Sequence, residues 1–370
     1  MLSDIVGQQR VLALLKTLFE RGRLPHALLL YGPEGSGKEA VAIELARALN
    51  CERGTWEACG ACESCVRMRT LQHPRFHLVF PMPSKEDEST AIDKFKEDEL
   101  AEYREQIELK AANPYHRIAM AKAQGIKISS IRDIRHASAF RAGGGGRTVV
   151  LICEADRMNT NAANALLKTL EEPTGDLLLV LSTAKRDALL PTIVSRCQQV
   201  RFDPLTATDI EAALQQVPDA DPARIPVAAR LSAGNYRLAL ELATDTALID
   251  RAELRMFLVA VVRNDPVELM QKISKFGARD DRRALLTFLA GLEGWFRDVL
   301  AVQVGHREGI INTDLEESIV KFAQHYTGTD AAEAIDAIED VIDRLQKNVH
   351  VTTLLIVLAQ RLRRAIHPRP

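Results

Sequence analysis

The chain holds 370 residues, 46% of them hydrophobic and 26% charged, with a formal net charge of −2. This is the balance of an ordinary soluble protein of two or three domains. It excludes a polycation that coats nucleic acid by itself, because neutralising phosphate takes a basic face.

Residues 9–21 place Val11, Leu14, Leu15, Leu18 and Phe19 at helical spacing. The run ALLLY at 27–31 then reads as a buried strand, and a helix is expected over 38–49 after a glycine-rich turn. Further apolar runs at 76–80, 148–152 and 177–182 are separated by helical sequence, so a parallel α/β sheet covered on both faces is predicted. Residues 84–110 differ, with ten acidic and five basic side chains and helical character near 95–110. They read as a solvated helical insertion, with partner docking as the rival, and Asn113-Pro114 marks its end. After Asp203-Pro204 the pattern is almost wholly helical. Residues 331–347 set Ile335, Ile338, Ile342 and Leu345 on one face, and 351–366 end with Arg361, Arg363 and Arg364 where a helix dipole favours cations. No run of 18 or more apolar residues and no charged-then-apolar leader occurs, so a cytosolic chain without a membrane span is expected.

Gly32-Pro33-Glu34-Gly35-Ser36-Gly37-Lys38-Glu39 fits the P-loop pattern G-x-x-x-x-G-K and stands where the chemistry needs it, between a strand and a helix. Its glycines let backbone N–H groups curl around phosphate, and Lys38 reaches the terminal phosphates. ATP or ADP is therefore an expected ligand. The hydroxyl that normally follows the lysine and binds Mg²⁺ is replaced by Glu39. The strand that should carry the metal-binding acid is followed by Cys153-Glu154, with a thiol where Asp is usual. Mg²⁺ prefers oxygen, so these two departures predict weak or absent hydrolysis, although Glu154 remains to polarise a water.

Four of the six cysteines fall within fifteen residues, as Cys51, Cys59, Cys62 and Cys65. In a reducing compartment this spacing reads as a structural Zn²⁺ site with all four positions filled; an iron–sulfur cluster or free thiols are the alternatives. Cys153 and Cys197 read as packed, unreactive thiols. The run at 143–146 reads as a flexible glycine turn, and His26 as a packing residue. Lys127, Arg132, Arg135 and Arg141 form a basic stretch that is either a solvated helix face or a surface turned to DNA.

The stretch Ala162-Ala163-Asn164-Ala165-Leu166-Leu167-Lys168-Thr169-Leu170-Glu171-Glu172-Pro173, followed by Ser195-Arg196-Cys197, closely resembles bacterial DNA polymerase III clamp-loader subunits. So do Ile5-Val6-Gly7-Gln8 and Leu24-Pro25-His26-Ala27. The resemblance covers residues 1–243 well, while the rest matches in length and helicity alone. Within the family, Glu39, Cys153 and the lack of a long C-terminal extension resemble the degenerate delta-prime branch more than the ATPase gamma/tau branch. The insertion at 84–110 departs from the shorter members.

The resemblance implies an AAA+ P-loop core over 1–203 with a zinc module at 51–65, a helical lid over 204–243 and an all-helical collar over 244–370. It implies assembly with gamma/tau and delta to open a sliding clamp and place it on primed DNA. Arg196 matches a trans arginine finger acting on a neighbour's ATP, Thr183 the sensor-1 position, and Arg237 the sensor-2 arginine of the lid. Two other functions are kept open: an active gamma/tau-like ATPase, and a zinc-bearing scaffold outside any ring.

Overall fold

The structure, a computed structural model, describes residues 2–83, 95–121, 123–139, 146–173, 175–244, 251–278, 282–312, 315–345 and 350–367. Arg141, the side chain of Arg135, residues 143–145 and the first part of the charged insertion lie outside them. The chain divides into two compact units, Met1–Ile210 with Gly234–Arg237, and Glu211–Ala233 with Leu238–Pro370.

In the first unit the four apolar runs and the mostly polar segment 198–201, which the sequence pattern does not single out, form the strands of one parallel sheet. They are β1 (Ala27–Tyr31), β2 (Phe76–Val79), β5 (Thr148–Ile152), β6 (Leu177–Thr183) and β7 (Gln198–Arg201), in the order β2-β5-β6-β1-β7. Two short strands, β3 (Met82–Pro83) and β4 (Ala123–Gly125), pair antiparallel and bracket the insertion. The helices are α1 (Gln9–Glu20), α2 (Lys38–Asn50), α3 (Glu63–Arg69), α4 (Glu97–Ala112), α5 (Ile128–Ala139), α6 (Thr160–Glu171) and α7 (Pro191–Val194).

Period-two alternation sorts the strand residues between two cores. Leu28, Leu30, Val149, Leu151, Leu178 and Val180 meet Val11 and Leu15 of α1 and Val41 and Leu45 of α2. Leu29, Val150, Ile152, Leu179 and Leu181 meet Ile131 and Ile134 of α5 and Ala162 and Leu166 of α6. β6 is buried along its whole length, which is why it reads as an unbroken apolar run. Each fully buried leucine contributes about 1.5–3 kcal/mol.

The insertion is not simply a solvated helix. The outward residues of α4 are charged as expected, but Tyr103 stacks on Phe80 of the core with ring centroids 5.7 Å apart, and Lys110 is buried at 1% exposure.

The second unit is helical. α8 (Ala207–Leu214) runs into it, followed by α9 (Ile225–Leu231), α10 (Tyr236–Thr244), α11 (Arg251–Arg263), α12 (Pro266–Ala278) and α13 (Arg282–Gln303). α14 (Glu316–His325), α15 (Ala331–Leu345) and α16 (Val351–Ile366) complete it. Leu254, Phe257, Leu292, Phe296, Ile338, Leu355 and Leu358 build its core. The buried face of α15 is centred on Ala334, Ala337, Ile338 and Val341, and the expected Ile335 and Ile342 flank it half-buried. Arg361 does more than complement the helix dipole: it reaches from α16 to Glu333 at 2.9 Å and Asp340 at 3.1 Å on α15. Asp298 of α13 is wholly buried and accepts hydrogen bonds from Ile311 N, Asn312 N and Asn312 Nδ2. No helix among the described residues is long and apolar enough to cross a membrane.

Candidate functional site

Three adjacent strands, β5, β6 and β1, end at the same edge of the sheet, the edge where open α/β sheets bind ligands. β1 leads into the P-loop, where Gly32, Gly35 and Gly37 take positive φ values of 147°, 66° and 91°. Gly35 admits no side chain, because a Cβ there would lie 1.7 Å from Asn235 Oδ1. Gly37 precedes the first turn of α2, so the loop aims a helix N-terminus and its free N–H groups into the site.

Lys38 turns back on its own loop. Its Nζ donates to Gly32 O at 2.8 Å and Pro33 O at 2.5 Å, and Ser36 Oγ also donates to Pro33 O. Burial pulls the Lys38 amine down to about 8, against the raising influence of Glu39, Glu34 and Asp156. Arg237 approaches the loop as well, with Nη2 3.5 Å from Glu34 Oε2, and Tyr236 N donates to Gly35 O.

Glu39 faces the ends of β5 and β6. Lys110 Nζ forms an ion pair with Glu39 Oε2, and Ser182 Oγ donates to Glu39 Oε1 at 3.1 Å. Burial works to raise the Glu39 carboxyl, yet Lys110, Ser182 and Cys153 together hold it below the ordinary carboxylate value. Burial and the nearby Glu39 charge push the Cys153 thiol well up, so it stands as a protonated donor.

Glu154, in the left-handed region at φ 50°, is also engaged. Arg117 donates to both its oxygens, Nε to Oε1 at 2.6 Å and Nη2 to Oε2 at 2.9 Å, and Arg157 Nη1 lies 3.3 Å from Oε2. The Glu154 carboxylate, expected to polarise a water, serves two guanidiniums in this structure. Thr183, at the end of β6, donates to Asp156 Oδ1 at 2.6 Å and accepts from Lys185 N.

The sequence reading missed the source of these partners. Lys110, Tyr115 and Arg117 come from the end of α4 and the turn after it. Asn113 Oδ1 accepts from Tyr115 N and Asn113 O from His116 N, which reverses the chain at Asn113-Pro114. Tyr115 then packs its ring on Gly37 and on Tyr236, at 4.7 Å between centroids, while its hydroxyl accepts from Val6 N. Only the Asn113-Pro114 break hinted that the chain folds back here.

A divalent cation beside a P-loop takes oxygen ligands in near-octahedral array. The residues present do not fit one: Glu39 is engaged by an ammonium and a hydroxyl, and Cys153 offers protonated sulfur.

The cysteine cluster does fit a metal. Cys51, Cys59, Cys62 and Cys65 bring their sulfurs within 4.8 Å of one another. Tetrahedral Zn–S bonds of about 2.3 Å set sulfurs about 3.8 Å apart, close to the 3.9 Å between Cys59 and Cys65. Cys59 N, Cys62 N and Cys65 N each donate to the sulfur of another cysteine, the kind of support that thiolate ligands need. Backbone N–H groups of Ala61 and Cys62 pull the Cys59 thiol down to about 6, while burial pushes Cys65 up to about 12.

Arg196 lies away from this edge, just after α7. Its side chain is 38% exposed, with Nη2 2.8 Å from Glu171 Oε1 and Nη1 donating to Thr192 O. Cys197 is buried, and its thiol is pushed up to about 12.

The sheet, the glycine loop and its lysine define a P-loop α/β protein. The family described as DNA polymerase III, delta subunit, matches residues 7–206. The delta-prime subunit of DNA polymerase III from Bacillus subtilis (strain 168) is 30% identical over 353 residues, covering 94% of each chain. The delta-prime subunit from Pseudomonas aeruginosa is 34% identical over 220 residues, 59% of this chain and 55% of that one. The tau subunit from Escherichia coli (strain K12) is 31% identical over 252 residues, 66% of this chain and 33% of that one. The chain belongs to the DNA polymerase III delta-prime family of clamp-loader subunits.

Proposed function

We propose that this chain is the clamp-loader subunit that does not turn over ATP at its own P-loop and lends Arg196 to the ATP site of a neighbouring gamma/tau subunit. The observation that carries the reading is the engagement of every acidic group at the P-loop edge. Glu39 is held by Lys110, the position of the metal-binding Asp is the protonated Cys153, and Glu154 is clamped by Arg117. ATP or ADP bound at the glycine loop through Lys38 would be a static ligand, with Thr183 and Arg237 as positioning groups.

Arg196, by contrast, is at the surface and is held by an exposed carboxylate that a stronger anion can displace. A guanidinium is planar, permanently charged and suited to a γ-phosphate, and arginines supplied in trans accelerate phosphoryl transfer by about 10³–10⁵ where measured. In this reading residues 51–65 carry a structural Zn²⁺, residues 204–243 form the lid, and residues 244–370 form the collar. The ring with gamma/tau and delta works in the cytoplasm, opening the sliding clamp and setting it on primed DNA. The relatives' names, delta-prime and tau subunits of DNA polymerase III, support the gamma/tau partner.

The test is reconstitution of the complex with Arg196→Ala. The complex should form, and DNA-stimulated ATP hydrolysis by the neighbour should fall steeply. Undiminished hydrolysis would remove Arg196 from the mechanism. ATP turnover by the purified chain, abolished by Lys38→Ala, would instead favour the active gamma/tau-like reading, and failure to assemble would favour a scaffold outside the ring.

A further inference from the structure

We propose that Lys110 is a resident cation which holds the divalent-metal position of this P-loop, so that the inserted segment makes the site metal-excluding. This deepens the reading of a site without turnover. Metal binding rather than ATP hydrolysis is the measurement, so either can fail alone.

The geometry carries the inference. Glu39 directly follows the P-loop lysine, where the metal-binding hydroxyl of a hydrolysing P-loop belongs. Cys153 directly follows β5, two strands from β1, where the metal-binding acid belongs. A cation between these two positions would be a P-loop metal. The charge that meets Glu39 is the Lys110 ammonium, 1% exposed, which bonds to Glu39 and donates to His116 O at 2.6 Å. The ammonium occupies Glu39 Oε2, and its positive charge disfavours a divalent cation on the same carboxylate. An incoming metal would also meet the positive charges of Lys38 and Arg117.

The segment is fixed in register, which separates a built site from a chance contact. Tyr103 anchors α4 to Phe80. His116 Nε2 and Ala119 N both meet Gln106 Oε1, tying the returning chain to the helix. Tyr115 is pinned by Val6 N, Gly37 and Tyr236, and Arg117 by Glu154. Lys110 is thus delivered from a scaffold with contacts on both sides of it. A lysine buried this deeply is tolerated because its charge is matched, and removing one partner leaves the other charge uncompensated.

The experiment uses the full chain with its zinc in place and Mn²⁺ as the probe, with free Mn²⁺ followed by electron paramagnetic resonance. The wild-type chain and Glu39→Gln should give the same weak Mn²⁺ isotherm, because Glu39 has no metal to lose. Lys110→Met keeps the aliphatic stem and removes the charge. It should gain a Mn²⁺ site tighter by about 10-fold or more, which disappears when Glu39→Gln is added. Lys110→Arg, which keeps a cation, should behave as wild type. A saturable Mn²⁺ site in the wild type that Glu39→Gln abolishes overturns the proposal, and this comparison stands even where Lys110→Met does not fold. A folded Lys110→Met with no new Mn²⁺ site overturns it equally.

Discussion

Arg117 grips Glu154 through both carboxylate oxygens, at 2.6 and 2.9 Å, and Arg117 lies in the turn that follows α4, the helix that delivers Lys110. The pair is bidentate and charge-assisted. Hydrogen bonding to Glu154 pushes the guanidinium above its ordinary value, against the opposing pull of burial. Solvent still reaches Arg117, and screening limits what the pair contributes to stability. Arg117→Ala is therefore expected to lower unfolding free energy by only about 1 kcal/mol. Phosphate release from ATP should stay at background, because Glu39 and Cys153 are untouched. A variant that begins to hydrolyse ATP would make the Glu154 clamp alone responsible for silence at this site.

The four-cysteine knuckle should hold one Zn²⁺ per chain. Cobalt substitution should give the charge-transfer and d–d bands of a tetrahedral thiolate site, whereas the broad visible absorption of an iron–sulfur chromophore in the isolated protein would replace zinc as the assignment. Metal removal should loosen the knuckle locally. Trp56 reports this directly, because its ring meets Phe19 of α1 at 5.6 Å. With Trp295 changed to Phe, chelation should alter the remaining tryptophan emission and expose the thiols of Cys51, Cys59, Cys62 and Cys65. An unchanged spectrum after complete metal loss would show that the cysteines hold this loop without it.

Local features were legible in the sequence, and the closure of the site was not. The P-loop is one contiguous run between a strand and a helix, so its glycines and Lys38 declare themselves. The departures at Glu39 and Cys153 are readable because the pattern fixes which residue type belongs there. The sulfur cluster is readable because short spacing forces the ligands together. Lys110 meets Glu39 across 71 residues, and Arg117 meets Glu154 across 37. In sequence Lys110 is one cation among many charges of a helix with an outwardly polar pattern. Only the fold back at Asn113-Pro114 and the seating of Tyr115 on Gly37 select it for burial. The Arg361 contacts were hidden for the same reason, since Glu333 and Asp340 stand on another helix.

Arg196→Ala should leave stability unchanged to within about 0.5 kcal/mol, because exposed ion pairs contribute little. Its partner Glu171 is itself 51% exposed. Thermal unfolding of the isolated chain checks this. The result matters for reading the complex, since a loss of the neighbour's ATP turnover can then be assigned to chemistry rather than to misfolding. A large drop in midpoint would mean that Arg196 holds the turn after α7 in place.

Lys38 supplies a pH test with a definite sign. Burial lowers its amine from the ordinary 10.5 to about 8 in the folded chain. Below the folded value both states carry the proton, and the native state bears the full cost of a buried ammonium. Between about 8 and 10.5 the native amine is neutral while the unfolded one stays charged. The unfolded state then binds more protons, and the lysine's contribution to stability rises with pH. The full span is on the order of 3 kcal/mol. Denaturant unfolding of wild type and Lys38→Met at steps from about pH 7 to about pH 10 isolates this term, because every other group titrates in both proteins. The wild type should gain on the variant as pH climbs past 8. A difference that stays flat across that range would mean that water reaches the amine, and the loop carbonyls of Gly32 and Pro33 would not be its main partners.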